Sequence, residues 1–367
     1  MDSSHVSEAQ HDSRPPSGLA YPCDPAPDAG QAREVAPGVW WIRMRLPFAL
    51  DHINLWALRD GDGAEAGEGG GWALVDTGIG GADAAAAWRA LFAGPLAGTV
   101  TRVFVTHMHP DHIGMAGWLT RKFGCRLWIS RLEYLTCRAL AADTGREAPD
   151  DAIDFYRRAG WSEDALETYR TRFGGYGKMI YALPDSYRRL SDGEDIAIGG
   201  QRWRVVAGNG HSPEHACLYC PERRLLISGD QVLPRISSNV SVFPPEPDAN
   251  PLADWLASLD KLAREVPDDV LVLPAHNTPF TGLHQRIGAL QAGTQRALER
   301  LREALREPRR AVDVYGALFA RPITSADHQL MSMATGESLA HLNYLVARGE
   351  AAAELRGDGC LWYRMVR

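Results

Sequence analysis

The sequence predicts an α/β fold, and three observations lead there. Short apolar runs between residues 35 and 76 follow one another through polar and Gly-rich turns, as in a strand meander. An apolar run at 103–105 passes through a polar turn into a helical pattern and then a further apolar run, a strand–helix–strand unit. Beyond residue 190 strands resume, and three of them end in Gly or Pro beside a His or an Asp. With 367 residues, 45% of them hydrophobic, the chain can build one large domain and one small one.

In order, residues 1–33 are rich in Ser, Pro, Asp, Gly and Ala and poor in large apolar side chains, so a disordered tail is expected, with structure starting at Val35. Residues 39–44 and 52–58 read as strands, and a Gly-rich turn from Gly61 to Gly71 leads to a third at 72–76. A helix is expected at 82–92, stopped by Gly94 and Pro95, then the strand at 103–105, a helix at 113–123 and a strand at 126–129. Helical periodicity at 131–142, 150–158 and 162–173, broken by Gly145, Gly160, Gly174 and Gly175, marks a helical insertion over about 131–181. Phe155, Tyr156, Tyr176, Met179 and Tyr181 are its apolar contacts, and it reads either as a substrate-facing lid or as plain helix packing. Strands follow at 195–198, 203–206, 216–219 and 225–228, then a helix at 252–264 and a strand at 270–273. A long helix at 283–305 opens the C-terminal part, followed by helices at 312–319, 326–333 and 335–348 and strands at 350–355 and 360–365 around Gly357, Asp358 and Gly359.

The turn after residue 105 holds His107, His109, Asp111 and His112 within six residues. Each imidazole there needs a hydrogen-bond partner or a metal, and the carboxylate needs cations. His107 and His109 alternate along an extended turn and can face one side. Asp111 and His112 open the following helix and can face a second spot nearby. Such an arrangement suits two adjacent metal ions better than one.

This His-x-His-x-Asp-His run after a buried strand resembles the metallo-β-lactamase superfamily, and further matches follow in the order His, Asp, His: His211 in Gly208-Asn209-Gly210-His211, Asp230 in Ser228-Gly229-Asp230 and His276 in Pro274-Ala275-His276. The resemblance extends over residues 35–285 and implies an αββα sandwich, two mixed sheets face to face with helices outside and the metals at one edge. Residue by residue, it implies that His107, His109 and His211 bind a first metal, that Asp111, His112 and His276 bind a second, and that Asp230 bridges them. Asp76, in Asp76-Thr77-Gly78, is implied to lie under the metal loop and orient its neighbours; His215 is implied to sit beside the ligands without coordinating. His52 is on a strand end that faces the metals in relatives, where it touches substrate or serves the structure, and Asn277 is placed to orient a substrate oxygen.

Imidazole and carboxylate ligands without thiolate suit Zn(II), Fe(II) or Mn(II), with zinc the default. Two such cations lower the pKa of a water held between them, so a metal-bridging hydroxide aimed by Asp111 is the expected nucleophile. Asp230 stands where zinc β-lactamases of the main antibiotic-resistance type have Cys, and His112 completes a dinuclear set, which points to the glyoxalase-II-like and ribonuclease-Z-like branches. Diiron flavoprotein relatives carry an acid at the position of His109, which argues against redox chemistry. The expected function is hydrolysis of an ester or thioester, resembling hydroxyacylglutathione hydrolase; the alternatives are a phosphodiesterase or endoribonuclease of the same fold, a lactone hydrolase, or a non-catalytic binding protein.

The resemblance implies a small-molecule substrate, an acyl thioester or ester, and composition argues against other partners. A net charge of −7 does not suit general binding to nucleic acid or anionic membrane. No apolar run is long enough to span a bilayer, and the N-terminus lacks the pattern of a secretion signal. Cys23, Cys125, Cys137, Cys217, Cys220 and Cys360 have no framework spacing, so free thiols and a cytoplasmic location are expected. The domains are then the tail at 1–33, a catalytic domain at 34–282, and a linking helix with a winged-helix-like module at 283–367. The long helix interleaves Arg286, Arg296, Arg300, Arg302 and Arg306 with Glu299, Glu303 and Glu307, a solvated face with pairs Glu299–Arg302 and Glu303–Arg306. From residue 308 onward seven arginines meet six acids, too small an excess to track phosphates, so the module is read as a packing or homodimer-contact element.

Overall fold

In the computed structural model, which describes residues 18–61, 70–324 and 326–366, the meander is β1 (Ala32–Ala36), β2 (Val39–Arg45), β3 (His52–Asp60) and β4 (Gly71–Val75), paired antiparallel in sequence order. Most of the Gly-rich turn lies at 62–69, outside the described residues. After α1 (Ala82–Ala93), β5 (Val100–Phe104) adds parallel to β4; after α2 (Pro110–Ile113) and α3 (Ala116–Phe123), β6 (Arg126–Ser130) adds parallel to β5. Then come α4 (Arg131–Ala142), α5 (Asp150–Ala159) and α6 (Glu163–Arg172), and β7 (Arg188–Leu190) closes a seven-stranded mixed sheet. β8 (Asp195–Ile198), β9 (Gln201–Gly208), β10 (His215–Cys220) and β11 (Leu225–Gly229) form the second sheet, and after α7 (Pro251–Glu265), β12 (Leu271–Pro274) joins β11 in parallel. α8 (Leu283–Ala304), α9 (Tyr315–Leu318), α10 (His328–Ala347) and the hairpin of β13 (Ala351–Leu355) and β14 (Leu361–Met365) complete the chain.

Period-two alternation decides the layers. Val39 and Trp41 of β2 face a core shared with Ile196, Trp203 and Leu218 of the second sheet, whereas Ile42 and Met44 face Trp88 of α1 and Leu119 of α3. The opposite face of the second sheet, with Val206, Cys217 and Leu226, packs on Leu259 of α7 and Ile287 of α8. The result is the expected αββα sandwich. Asp76, the 105–112 turn, the 209–214 turn, Asp230 and His276 all follow the same ends of their strands and so collect along one edge.

Several expectations need correction. Residues 18–31 do not form a loose tail: Ala20 bridges Thr281, Leu19 and Tyr21 pack on the core, and β1 starts at Ala32, before Val35. Residues 1–17 of that expected tail lie outside the described residues. The helix expected at 113–123 is two helices, because the chain at Gly114 and Met115 is pressed against the 77–80 loop. A Cβ on Gly114 would lie 2.3 Å from the Gly80 nitrogen, and the Met115 N–H donates to the Gly78 carbonyl at 3.1 Å. Conversely, the helices expected at 326–333 and 335–348 are one, α10; nothing between them breaks a helix, and Gly336 inside it makes room for Ser241, whose Cβ would lie 2.7 Å from an added methyl.

On α8, Glu303 pairs with Arg306 at 2.8 Å as expected, but Arg302 pairs instead with Glu350, at 2.7 Å. Arg286 is not on a solvated face: it is buried and donates to the carbonyls of Leu233 and Ile236 at 2.6 and 2.8 Å. Phe155 and Tyr156 of the helical insertion pack with Trp161 into the core that α10 shares, so for these two the packing reading holds. All six cysteines are free.

Candidate metal centre

The turn after β5 is held open by its neighbours. The Asp76 carboxylate accepts from the Thr106 N–H and hydroxyl, both at 2.8 Å, and from His112 Nδ1–H, also at 2.8 Å. Thr77 adds a hydroxyl donated to the His112 carbonyl at 2.7 Å. With φ at +61°, Asp76 takes the left-handed conformation that Asp tolerates better than most side chains, which turns its carboxylate under the loop.

Among the described residues, two groups could hold a metal ion: His107, His109, His211 and Asp230, and Asp111, His112 and His276, each with its ligand atoms within 4.8 Å of one another. Asp230 lies between them. Its Oδ2 is 3.4 Å from His211 Nε2 and 3.5 Å from His112 Nε2, and its Oδ1 is 3.4 Å from His276 Nε2. Asp111 Oδ2 faces His276 Nε2 at 3.5 Å and His112 Nε2 at 3.7 Å. Rear hydrogen bonds choose the tautomers: His211 Nδ1–H donates to the Asn239 carbonyl at 2.7 Å and His276 Nδ1–H to the His52 carbonyl at 2.8 Å, leaving each Nε2 lone pair facing inward.

The donor set fits divalent cations. His107 Nε2 lies 2.8 Å from His109 Nδ1 and 3.2 Å from His211 Nε2, so three ring nitrogens converge on one spot. His112 Nε2 and Asp230 Oδ1 are buried with no hydrogen-bond partner, a costly state unless something else pairs them. Burial, reinforced by the neighbouring imidazoles, drives His107 well below the usual histidine range. Burial with His211 brings His109 down to about 3. Both therefore offer neutral lone pairs. His112 and His276 move the other way. Burial alone would lower His276, but Asp230 and Asp111 outweigh it and push it up to about 10. Burial likewise opposes ionisation of Asp111, yet His112 and His276 pull it down to about 2. The carboxylates are thus charged, and the two imidazoles beside them compete for cations.

The other expected residues surround these groups. His215 Nε2 accepts from the Asp230 N–H at 3.1 Å, placing it behind Asp230. His52 has both ring nitrogens engaged, Nδ1 with Asp51 at 2.7 Å and Nε2 accepting from the Asn277 N–H at 2.9 Å. The Asn277 backbone has φ at +66°, and its side-chain Oδ1 is buried without a partner.

Four supporting residues escape a reading of the sequence. Asn54, fully buried, donates to the carbonyls of Pro274 and Asn277 and fixes the His276 loop to the first sheet. Thr77 and Thr106 look like ordinary strand-end residues. Glu133 sits inside an expected helix; it is fully buried and accepts from the Met108 N–H at 2.8 Å and from the Ser212 hydroxyl and the Glu214 N–H at 2.7 Å each. The one available signal is an acid on an otherwise apolar helix face.

The fold and the converging donors define the class of a metal-binding hydrolase, and comparison with known proteins specifies it. Residues 65–276 match the model of the metallo-beta-lactamase superfamily, and residues 298–366 match that of the metallo-beta-lactamase-like C-terminal domain. The chain belongs to the metallo-beta-lactamase superfamily. It is similar to the crystal structure of a beta-lactamase domain protein from Burkholderia ambifaria, 43% identical with a TM-score of 0.86 over 95% of this chain and 98% of that one. A metallo-beta-lactamase family protein from Thermus thermophilus is 28% identical, with a TM-score of 0.74 over 91% of this chain and 100% of that one. Among curated proteins, an atrochrysone carboxyl ACP thioesterase from Aspergillus fumigatus is 23% identical over 305 residues, 79% of this chain. The match spans 58% of that thioesterase's length.

Proposed function

We propose that the protein is a dinuclear-metal-dependent hydrolase acting on an acyl thioester or ester. The observation that carries this reading is the position of Asp230, with one oxygen toward His211 and His112 and the other toward His276, as a carboxylate shared by two cations would need. In it, His107, His109 and His211 hold one ion, Asp111, His112 and His276 the other, and zinc is the first choice, with Fe(II) and Mn(II) fitting the same donors. When bound, two such ions supply Lewis acidity to a substrate carbonyl and acidify water at neutral pH.

The chain's own residues do the rest. Asp111 accepts a hydrogen bond from the attacking water and aims it at the carbonyl carbon. The Asn239 and His52 carbonyls and the Asp76 carboxylate hold three imidazoles in their working tautomers. Addition of the water oxygen to the carbonyl carbon releases one proton to solvent, cleavage of the C–S or C–O bond expels the thiolate or alkoxide, which takes one proton up, and the products are the carboxylic acid and the free thiol or alcohol. The thioesterase name of the Aspergillus relative supports the substrate class, and the resemblance to hydroxyacylglutathione hydrolase remains part of the proposal.

We place the catalytic unit at 18–282, since β1 begins at Ala32 and Ala20 bridges Thr281, and a winged-helix-like module at 283–367. Arginines on that module are engaged by acids, Arg310 with Asp313 at 2.9 Å and Arg348 with Glu350 at 2.5 Å, which favours a packing role over phosphate tracking. Among the described residues no helix is long and apolar enough to cross a membrane. We propose a cytoplasmic location, which six free thiols suit.

The test is metal analysis of the wild type and of His109→Ala, with turnover of acyl-CoA thioesters, lactones and bis-p-nitrophenyl phosphate. Two equivalents of metal, fewer in the variant, and thioester turnover are expected. Turnover of the phosphodiester only would replace the proposal with a phosphodiesterase.

A further inference from the structure

Glu133 is a buried carboxylate with no Lys or Arg paired to it among the described residues. Burial pushes its carboxyl up, so it costs stability unless its hydrogen bonds matter. Its two oxygens take three donors from two separate loops. Oε2 receives the N–H of Met108, the residue between His107 and His109, at 2.8 Å. Oε1 receives the hydroxyl of Ser212, next to His211, and the N–H of Glu214, both at 2.7 Å.

Neighbours tighten the same grip. Tyr176 donates its hydroxyl to the Met108 carbonyl, so both backbone polar groups of Met108 are held. The Ser130 hydroxyl donates to the Glu214 carbonyl at 2.7 Å and the Leu132 N–H to the Glu214 carboxylate at 2.9 Å, anchoring the second loop to the start of α4.

We infer that Glu133 is a positioning residue whose carboxylate locks the His107–His109 turn to the His211 loop and so fixes the spacing of one metal group but not the other. The inference rests on the metal-site reading above. The asymmetry follows from the contacts: His112 is held by Asp76 and His276 by the His52 carbonyl, and Glu133 bonds none of Asp111, His112 and His276. The chemistry also requires a carboxylate. The amide of Glu133→Gln would turn an NH2 group toward either the Met108 or the Glu214 N–H, and a donor facing a donor opens the clamp on that side.

The experiment titrates the metal-free chain with Co(II), reading visible absorption and stoichiometry, for the wild type, Glu133→Gln and Ser212→Ala. Ser212→Ala removes one of the three bonds and leaves the backbone donors, so it answers the question even where Glu133→Gln folds poorly. The expected result is two sites in the wild type. In the variants one site weakens, by about 10- to 100-fold in Glu133→Gln and less in Ser212→Ala, while the other keeps its affinity and spectrum. Equal weakening of both sites would mean a general structural role and would overturn the inference, as would variants that bind like the wild type. A wild type that takes up no Co(II) would instead overturn the metal-site reading itself.

Discussion

Oδ2 of Asp76 lies 2.8 Å from Nδ1 of His112, and both side chains are shut off from solvent. The same carboxylate satisfies the Thr106 N–H and hydroxyl, so one side chain orients an imidazole and the backbone of the turn before it. Asp76→Ala leaves the Thr106 N–H and the His112 Nδ1–H buried without this acceptor, while the Thr106 hydroxyl keeps its contact with His107 Nδ1 at 3.0 Å. A loss of about 2–6 kcal/mol in stability is expected, at roughly 1–3 kcal/mol for each of the two orphaned groups, together with about 10- to 100-fold weaker metal binding. Denaturant unfolding and metal titration check the two parts separately. A destabilised variant with undiminished metal affinity would confine Asp76 to holding the fold.

Gly210 precedes His211 with φ at +101°, and a Cβ there would lie 2.4 Å from the Trp255 Cβ and 2.6 Å from the Pro251 carbonyl. Gly210→Ala must push the His211 loop off α7. We expect a loss of about 1–3 kcal/mol and reduced metal uptake. Gly288, exposed on α8 with open space where a Cβ would sit, is the control. Gly288→Ala should raise stability by about 0.5–1 kcal/mol and leave metal binding unchanged, since only helix propensity differs. Thermal unfolding of the pair decides both signs.

That the seven converging side chains are legible from sequence, and Glu133 is not, has a physical reason. Each of the seven follows an apolar strand closely, and strands that end at one edge of a sandwich bring their next residues together whatever lies between. Asp76 is legible for the same reason. Glu133 acts from the first turn of a helix on two loops 25 and 79 residues away, and no local pattern encodes that reach. Asn54 is hidden inside a strand whose alternation marks it only as inward-facing. The split of the helix after the His-rich turn depends on Gly114 meeting Gly80, a tertiary approach that periodicity cannot register. The single helix α10 reads as two with a break at Ala334, yet no residue there stops a helix, and only the packed structure shows that the chain runs straight through.

The C-terminal part reaches the site through α10. Glu337 accepts from the Asn239 side chain at 2.9 Å, Asn239 accepts from His211 with its backbone carbonyl, and Val242 donates to the Gly336 carbonyl at 3.0 Å. Burial pushes the Glu337 carboxyl from 4.5 up to about 7, with the Asn239 hydrogen bond opposing it. A raised carboxyl favours the folded state while protonated. Its contribution is full below about pH 4.5 and is lost as pH rises through 7. Glu337→Gln, which keeps an acceptor for Asn239, should therefore flatten the fall in stability between those values, matching the wild type near pH 4.5 and exceeding it above pH 7. Denaturant midpoints across that range measure it, and an unchanged slope would reject the assignment.

Metal removal should expose a second, separate window. In the metal-free chain His276 is held protonated up to about 10, because Asp230 and Asp111 outweigh the burial that would lower it from 6.5. Its folded form thus gains stability that is complete below pH 6.5 and disappears as pH climbs through 10. A cation taking the place of that proton removes the dependence, since the imidazole then has to be neutral to coordinate. Chelated protein should lose stability progressively from about pH 6.5 to 10, and Zn(II)-loaded protein should not. His276→Asn should make the slope in the chelated state shallower, the remainder belonging to His112, which Asp111, Asp76 and Asp230 also hold raised against its burial, without touching the lower window set by Glu337. The two windows differ in which residue closes each and in whether metal removes it, so one series of unfolding curves, with and without chelator, separates them. A slope in the upper window that survives metal loading, or one that His276→Asn leaves undiminished, would mean that His276 does not carry the charge its two carboxylate neighbours demand.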